Sequence, residues 1–183
     1  MKKAIFLNGL RFVFVIAALS IGTVTIGQTS RKDKKLAADS EEAKAEFIRV
    51  DGLMQSLFDN SYGYVIFPNV GKGGIGIGGA AGNGIVYEGG NVIGKAQLKQ
   101  VSIGFQFGGQ VYREVIFFET KEGLDRFRED NFEFSAQASA VAATAGASAN
   151  VKYANGVMIF TQQKGGLMYE ASIGGQKFDY TPF

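Results

Sequence analysis

Ser61, Ser102, Glu114, Glu119 and Asp125 are of residue types that could carry hydrolytic chemistry, and what the chain lacks decides how they read. A serine hydroxyl attacks only when a neighbouring base takes its proton, and the 183 residues include no histidine. There is no cysteine either, which removes thiolate nucleophiles, disulfides and zinc-finger spacing. The acids are scattered and form neither a D-x-D-x-D-G calcium loop nor a paired-acid motif for glycoside hydrolysis. The expectation is a non-catalytic protein without metal or cofactor.

Two glycine segments imitate phosphate-binding loops. Gly74-Ile75-Gly76-Ile77-Gly78-Gly79 has the letters of a dinucleotide fingerprint, but that site needs a helix N-terminus next, and Ala80-Ala81-Gly82-Asn83-Gly84 reads as turn and strand. Gly89 to Ala96 nearly spells a P-loop, yet Ala96 stands where a Ser or Thr would hold magnesium, and strand-like alternation follows. Both are expected to be sheet.

The chemistry that remains is binding. Lys72, Lys95, Lys99, Arg113, Lys152 and Lys164 lie near glycine turns or strand ends, where cations could meet anionic headgroups or simply be solvated. Phe47, Val50, Met54, Leu57 and Phe58 recur at helical spacing and predict a helix over about 39–59. Its Phe47, Met54 and Phe58 face could pack in the domain's own core or enter a bilayer interface.

After Asn60 the pattern becomes short β-branched and aromatic runs broken by glycine, as in Tyr64-Val65-Ile66-Phe67 and Ile85-Val86-Tyr87. Alternation predicts one buried face at Val101, Ile103, Phe105 and Phe107, and another at Phe132, Phe134, Ala136, Ala138 and Ala140. Val115-Ile116-Phe117-Phe118, apolar on both faces, predicts a central strand. Asn83-Gly84, Asn155-Gly156, Glu88-Gly89-Gly90-Asn91 and Lys164-Gly165-Gly166 predict turns, and Lys121 to about Asp130 a short helix capped by Thr120. The expected class is α+β: a strongly curved, mainly antiparallel, glycine-rich sheet, barrel-like or sandwich, with an N-terminal and a short central helix.

Lys2 and Lys3 precede an apolar run reaching Ile26, interrupted at Asn8 and Arg11, which predicts a signal peptide over 1–27 cut before Gln28. A charged linker over 28–38 and one domain over 39–183 would follow. Without residues 1–27, 16 basic side chains face 17 acidic ones, a net charge of −1. Indiscriminate nucleic-acid binding is not expected of such a chain.

The order of motifs resembles the SYLF lipid-binding domain family. It runs from Tyr62-Gly63-Tyr64-Val65-Ile66-Phe67-Pro68 and Gly71-Lys72-Gly73-Gly74 through Gly104-Phe105-Gln106-Phe107-Gly108-Gly109-Gln110 and Phe132-Glu133-Phe134. It ends in Lys164-Gly165-Gly166-Leu167 and Gly174-Gly175-Gln176-Lys177-Phe178, covering about residues 40–180. The resemblance implies binding of membrane lipids, phosphoinositides among them in eukaryotic members, through basic residues and an amphipathic N-terminal helix. By position, Lys72 and residues 39–59 would carry that role. Yeast relatives bind actin filaments, but an exported protein meets no actin, and Asp39, Glu41, Glu42 and Glu46 make this helix acidic. The function expected is peripheral binding of lipid, anionic phospholipid included, at a periplasmic or other envelope membrane. Two rival classes are a structural or protein-interaction module and a small-ligand carrier or enzyme.

Overall fold

The computed structural model describes residues 30–75, 77–103, 109–129, 132–134, 140–165 and 175–183. The signal peptide expected over 1–27 lies outside them. Helices α1 (Arg31–Val50) and α2 (Met54–Asn60) lead into β1 (Gly63–Ile75), β2 (Ile77–Glu88), β3 (Asn91–Ile103) and β4 (Gly109–Phe118). Helix α3 (Lys121–Arg128) follows, then β5 (Phe132–Glu133), β6 (Val141–Ala142), β7 (Val157–Gly165) and β8 (Gln176–Pro182). The eight strands form one sheet in the order β5-β8-β3-β2-β1-β4-β7-β6, antiparallel at every pairing but β6 with β7. The fold is α+β, a curled half-barrel, as expected.

Helix α1 begins eight residues before the predicted 39. Ser30 Oγ accepts from Asp33 N while the Asp33 carboxylate accepts from Ser30 N, a reciprocal cap that starts the helix inside the charged run taken for linker. The predicted single helix is also two. Asp51 closes α1, and its buried carboxylate accepts from Leu53 N at 3.1 Å, from Ser148 N at 2.8 Å and from Ser148 Oγ at 2.7 Å. The break therefore anchors the 3-10 turn Ala147–Asn150.

Alternation along the strands divides the core in two. Tyr64, Ile66, Ile85, Tyr87, Val115 and Phe117 pack against Phe47, Met54 and Phe58 of α1 and α2. Val65, Phe67, Val86, Ile116 and Phe118 face the other way, toward Leu124 and Phe127 of α3. Ile159 of β7 and Phe178 of β8, on strands with four others between them, share this second cluster. That face is thus concave, and the helix α1 face convex.

Val115 to Phe118 is central and fully buried, and α3 is capped by Thr120 with Leu124 and Phe127 buried, both as predicted. Asn155-Gly156 turns with both φ positive, at 54° and 78°, and Gly89 and Gly90 turn at 54° and 80°. Asn83-Gly84 does not turn: it lies within β2, and Gly84 is needed for close approach. A Cβ there would sit 2.6 Å from Ile66 O and 2.7 Å from the Phe67 ring.

The buried face predicted at Val101 is also reversed. Pairing with β2 and β8 puts Ala96, Leu98 and Gln100 inward and leaves Val101 76% exposed. The side chains of Ile103, Phe105 and Phe107 lie outside the described residues, as do Ala136 and Ala138. Of the second predicted alternating strand, β5 covers only Phe132 and Glu133, with Phe134 buried beside it.

Candidate functional site

Helix α1 is held to the sheet by polar contacts along its length. Lys95 Nζ donates to Asp33 at 3.1 Å, the Tyr87 hydroxyl to Glu41 at 2.9 Å, and Lys44 Nζ to the Tyr64 hydroxyl at 3.2 Å. Below them Tyr64 and Tyr87 stack at 4.6 Å, and Phe58 meets Tyr64 and Phe117 edge-on. Phe47, Met54 and Phe58, the set that could have entered a bilayer, are in this core and at most 4% exposed. Lipid could reach them only if both helices left the sheet.

The five cations of the predicted site do not gather. Lys95, Lys99 and Arg113 are convex: Lys95 is paired with Asp33, Lys99 with Asp179 at 2.8 Å, and Arg113 donates to Gln162 at 3.2 Å. Lys72 is on the concave face. A bulge between Phe67 and Val70, at Pro68, which has no N–H to donate, shifts the alternation by one, so Val70 and Lys72 share the inward side. Partial burial holds the Lys72 ammonium below the usual lysine range. Lys152 is exposed beside β7 and makes no ion pair among the described residues.

Two groups of residues were not singled out by sequence. Arg31, Lys32 and Lys34 stand exposed in the first turn of α1, within the stretch expected to be a charged linker. The second group is the convex face away from α1. On β4 the outward residues run Val111, Arg113, Val115, Phe117, from 40% exposed at the first to fully buried at the last. Val111 pairs with Gly71, and Val101 with Gly79; Ala81, Gly71 and Gly73 are exposed as well. This half of the face carries small and apolar residues at these positions, beside Asn83, Gln97, Lys99, Arg113 and Lys177.

The concave face contains a buried polar cluster. Gln176 Nε2 donates to Glu114 at 3.1 Å and lies 3.4 Å from the Tyr112 hydroxyl. Glu114 is fully buried, and among the described residues Oε1 of both Glu114 and Gln176 has no hydrogen-bond partner. Burial pushes the Glu114 carboxyl up to about 7, with the bond from Gln176 opposing the shift. It is therefore largely protonated below neutrality. Among the described residues no three of His, Cys, Asp and Glu gather as a metal site would require.

At the ends of the sheet lies a cleft of about 560 Å³. Phe132, Glu133 and Phe134 line it from one sheet end, and Val141 and Val157 to Ile159 from the other. Arg126 of α3 and Lys152 also line it. No described helix is long and apolar enough to cross a membrane.

Residues 99–180, from the end of β3 almost to the end of β8, match the Ysc84 family model, described as a Las17-binding protein actin regulator. The chain is also similar to Beta cell expansion factor A of Aeromonas veronii, 30% identical over 125 residues. That alignment covers 67% of this chain and 47% of the relative, so the chain spans about half the relative's length.

Proposed function

Because the chain belongs to the Ysc84, or SYLF, family, we propose that it is a non-catalytic lipid-binding protein acting peripherally at an envelope membrane after export. The observation that carries this is the bare half of the convex face. Exposed Val101 and Val111, set among the small residues Gly71, Gly73 and Ala81, make an apolar surface that a headgroup boundary can cover. Arg31, Lys32 and Lys34 add electrostatic attraction, at about 1 kcal/mol for each cation close to an anionic surface. Their clustering allows a basic contact despite a net charge near zero.

Co-sedimentation of the purified protein with neutral and anionic liposomes at low and high salt tests this. Binding to anionic liposomes is expected at low salt, weakened but not abolished near 1 M, where the Debye length falls to about 3 Å while apolar contact survives. Val101→Asp with Val111→Asp should remove the salt-resistant part. A protein that ignores liposomes of every headgroup sinks the proposal.

A second reading is a structural or protein-interaction module of the envelope. It is favoured by the family description, which names binding to a protein, and the same bare face could receive one. Recovery of a stoichiometric protein partner together with indifference to lipid would select it.

A further inference from the structure

The cleft is the seam of the half-barrel. The sheet order begins at β5 and ends at β6, and residues of both line the same opening. The sheet has curled until its ends face each other, and among the described residues β5 pairs with β8 alone and β6 with β7 alone. The gap is walled by side chains of both cores. Phe132, Phe134 and Ile159 belong to the concave cluster; Val141, Val151 and Met158 belong to the convex one. Its volume falls within the roughly 300–1,000 Å³ of small-molecule sites.

The opening carries two cations and one acid. Glu133 is paired with Lys177 at 3.4 Å. The Arg126 guanidinium donates to Asn155 O at 3.1 Å, which orients it and leaves its other N–H groups for a ligand. Lys152 makes no ion pair among the described residues. A cleft with an apolar strip at Phe132, Val141 and Val151 beside two cations fits one aliphatic chain ending in an anion, and the planar guanidinium fork matches a carboxylate. An extended peptide fits less well. The bordering edge strands β5 and β6 have two residues each, and Ala154 and Val157 already exchange their backbone bonds at 2.8 and 3.1 Å.

We infer that the seam between the β5 and β6 ends of the sheet binds one long-chain fatty acid, its carboxylate held by Arg126 and Lys152 and its chain lying between Phe132, Val141 and Val151. This goes beyond adhesion to a bilayer, because a single monomeric amphiphile is held in a cleft away from the bare convex face.

Titration of the purified protein with palmitate below its micellar concentration, read by native mass spectrometry and calorimetry, tests it. One palmitate per chain is expected. Arg126→Gln with Lys152→Gln should weaken binding about tenfold, as loss of two charge-assisted contacts to one carboxylate would. The same pair should leave hexadecanol binding unchanged. Val151→Trp should fill the slot and abolish both, with an unchanged circular dichroism spectrum as the check on folding. The inference is overturned by no palmitate binding, by several equivalents bound, by indifference to all these substitutions, or by an extended apolar peptide binding where palmitate does not. Val151→Trp should still co-sediment with liposomes. Palmitate binding without liposome binding would overturn only the peripheral function, and the reverse only this inference.

Discussion

The two halves of the convex sheet face are built on the same strands, yet one is buried under helices and the other is left bare. Under α1 and α2 the outward residues are Tyr64, Ile66, Ile85, Tyr87, Val115 and Phe117, all at most 2% exposed. Further along these strands, and on neighbouring β3, they include Gly71, Gly73, Ala81, Val111 and Val101. The difference is the size of the outward side chain. Aromatic residues offer enough apolar area, at about 25 cal/mol per Å², to offset the ordering of a covering helix; glycine and alanine do not. A bare half thus costs little stability and remains available for contact.

The largest test of this contrast is Phe117→Ala, which removes a ring packed between Phe58 and Phe160. It should cost about 3–5 kcal/mol in denaturant unfolding. A loss below about 1 kcal/mol would mean that the helices do not depend on the aromatic half.

The concave face beneath supplies the next effect. Glu114 has a folded-state value of about 7 against 4.5 when unfolded. Between those values the folded state keeps a proton that the unfolded state releases. Stability from this group is therefore complete below about pH 4.5 and lost as pH rises to about 7, on the order of 3 kcal/mol. Unfolding measured from pH 4.5 to 7.5 should show the decline, and Glu114→Gln should flatten it. An equal slope in both proteins would assign it to other groups.

Ser30→Ala should cost about 1 kcal/mol by removing the cap of α1, without altering contacts under the helix. Smallest in stability, Val101→Ser with Val111→Ser should shift unfolding by less than about 0.5 kcal/mol each while weakening liposome binding. If the pair destabilises like a core change, the bare half is structural and the contrast fails.

Much of the architecture was legible because it is local. The central strand at Val115 to Phe118 follows from apolar residues on both faces, the Asn155-Gly156 turn from its need for positive φ, and α3 from Thr120 and its two buried residues. The start of α1 was legible too, in Ser30 and Asp33, but charge density concealed the cap. The candidate sites were less so. Lys72, Lys95, Lys99, Arg113 and Lys152 are visible as cations, but a strand sequence does not say which face each takes or which acid waits across the sheet.

The sequence by itself determined the absence of imidazole and thiol chemistry, the α+β pattern and the presence of both an aromatic core and glycine-rich strands. Only the tertiary structure decided that Val101 faces out, that Lys72 turns inward past the bulge at Pro68, and that Phe47, Met54 and Phe58 are core. It also joined Arg126 and Lys152 at one cleft. The physical reason is that composition and turn chemistry act within a few residues. Face, register and the meeting of sheet ends depend instead on pairings between strands far apart in the chain, where a slip of one residue reverses every side chain.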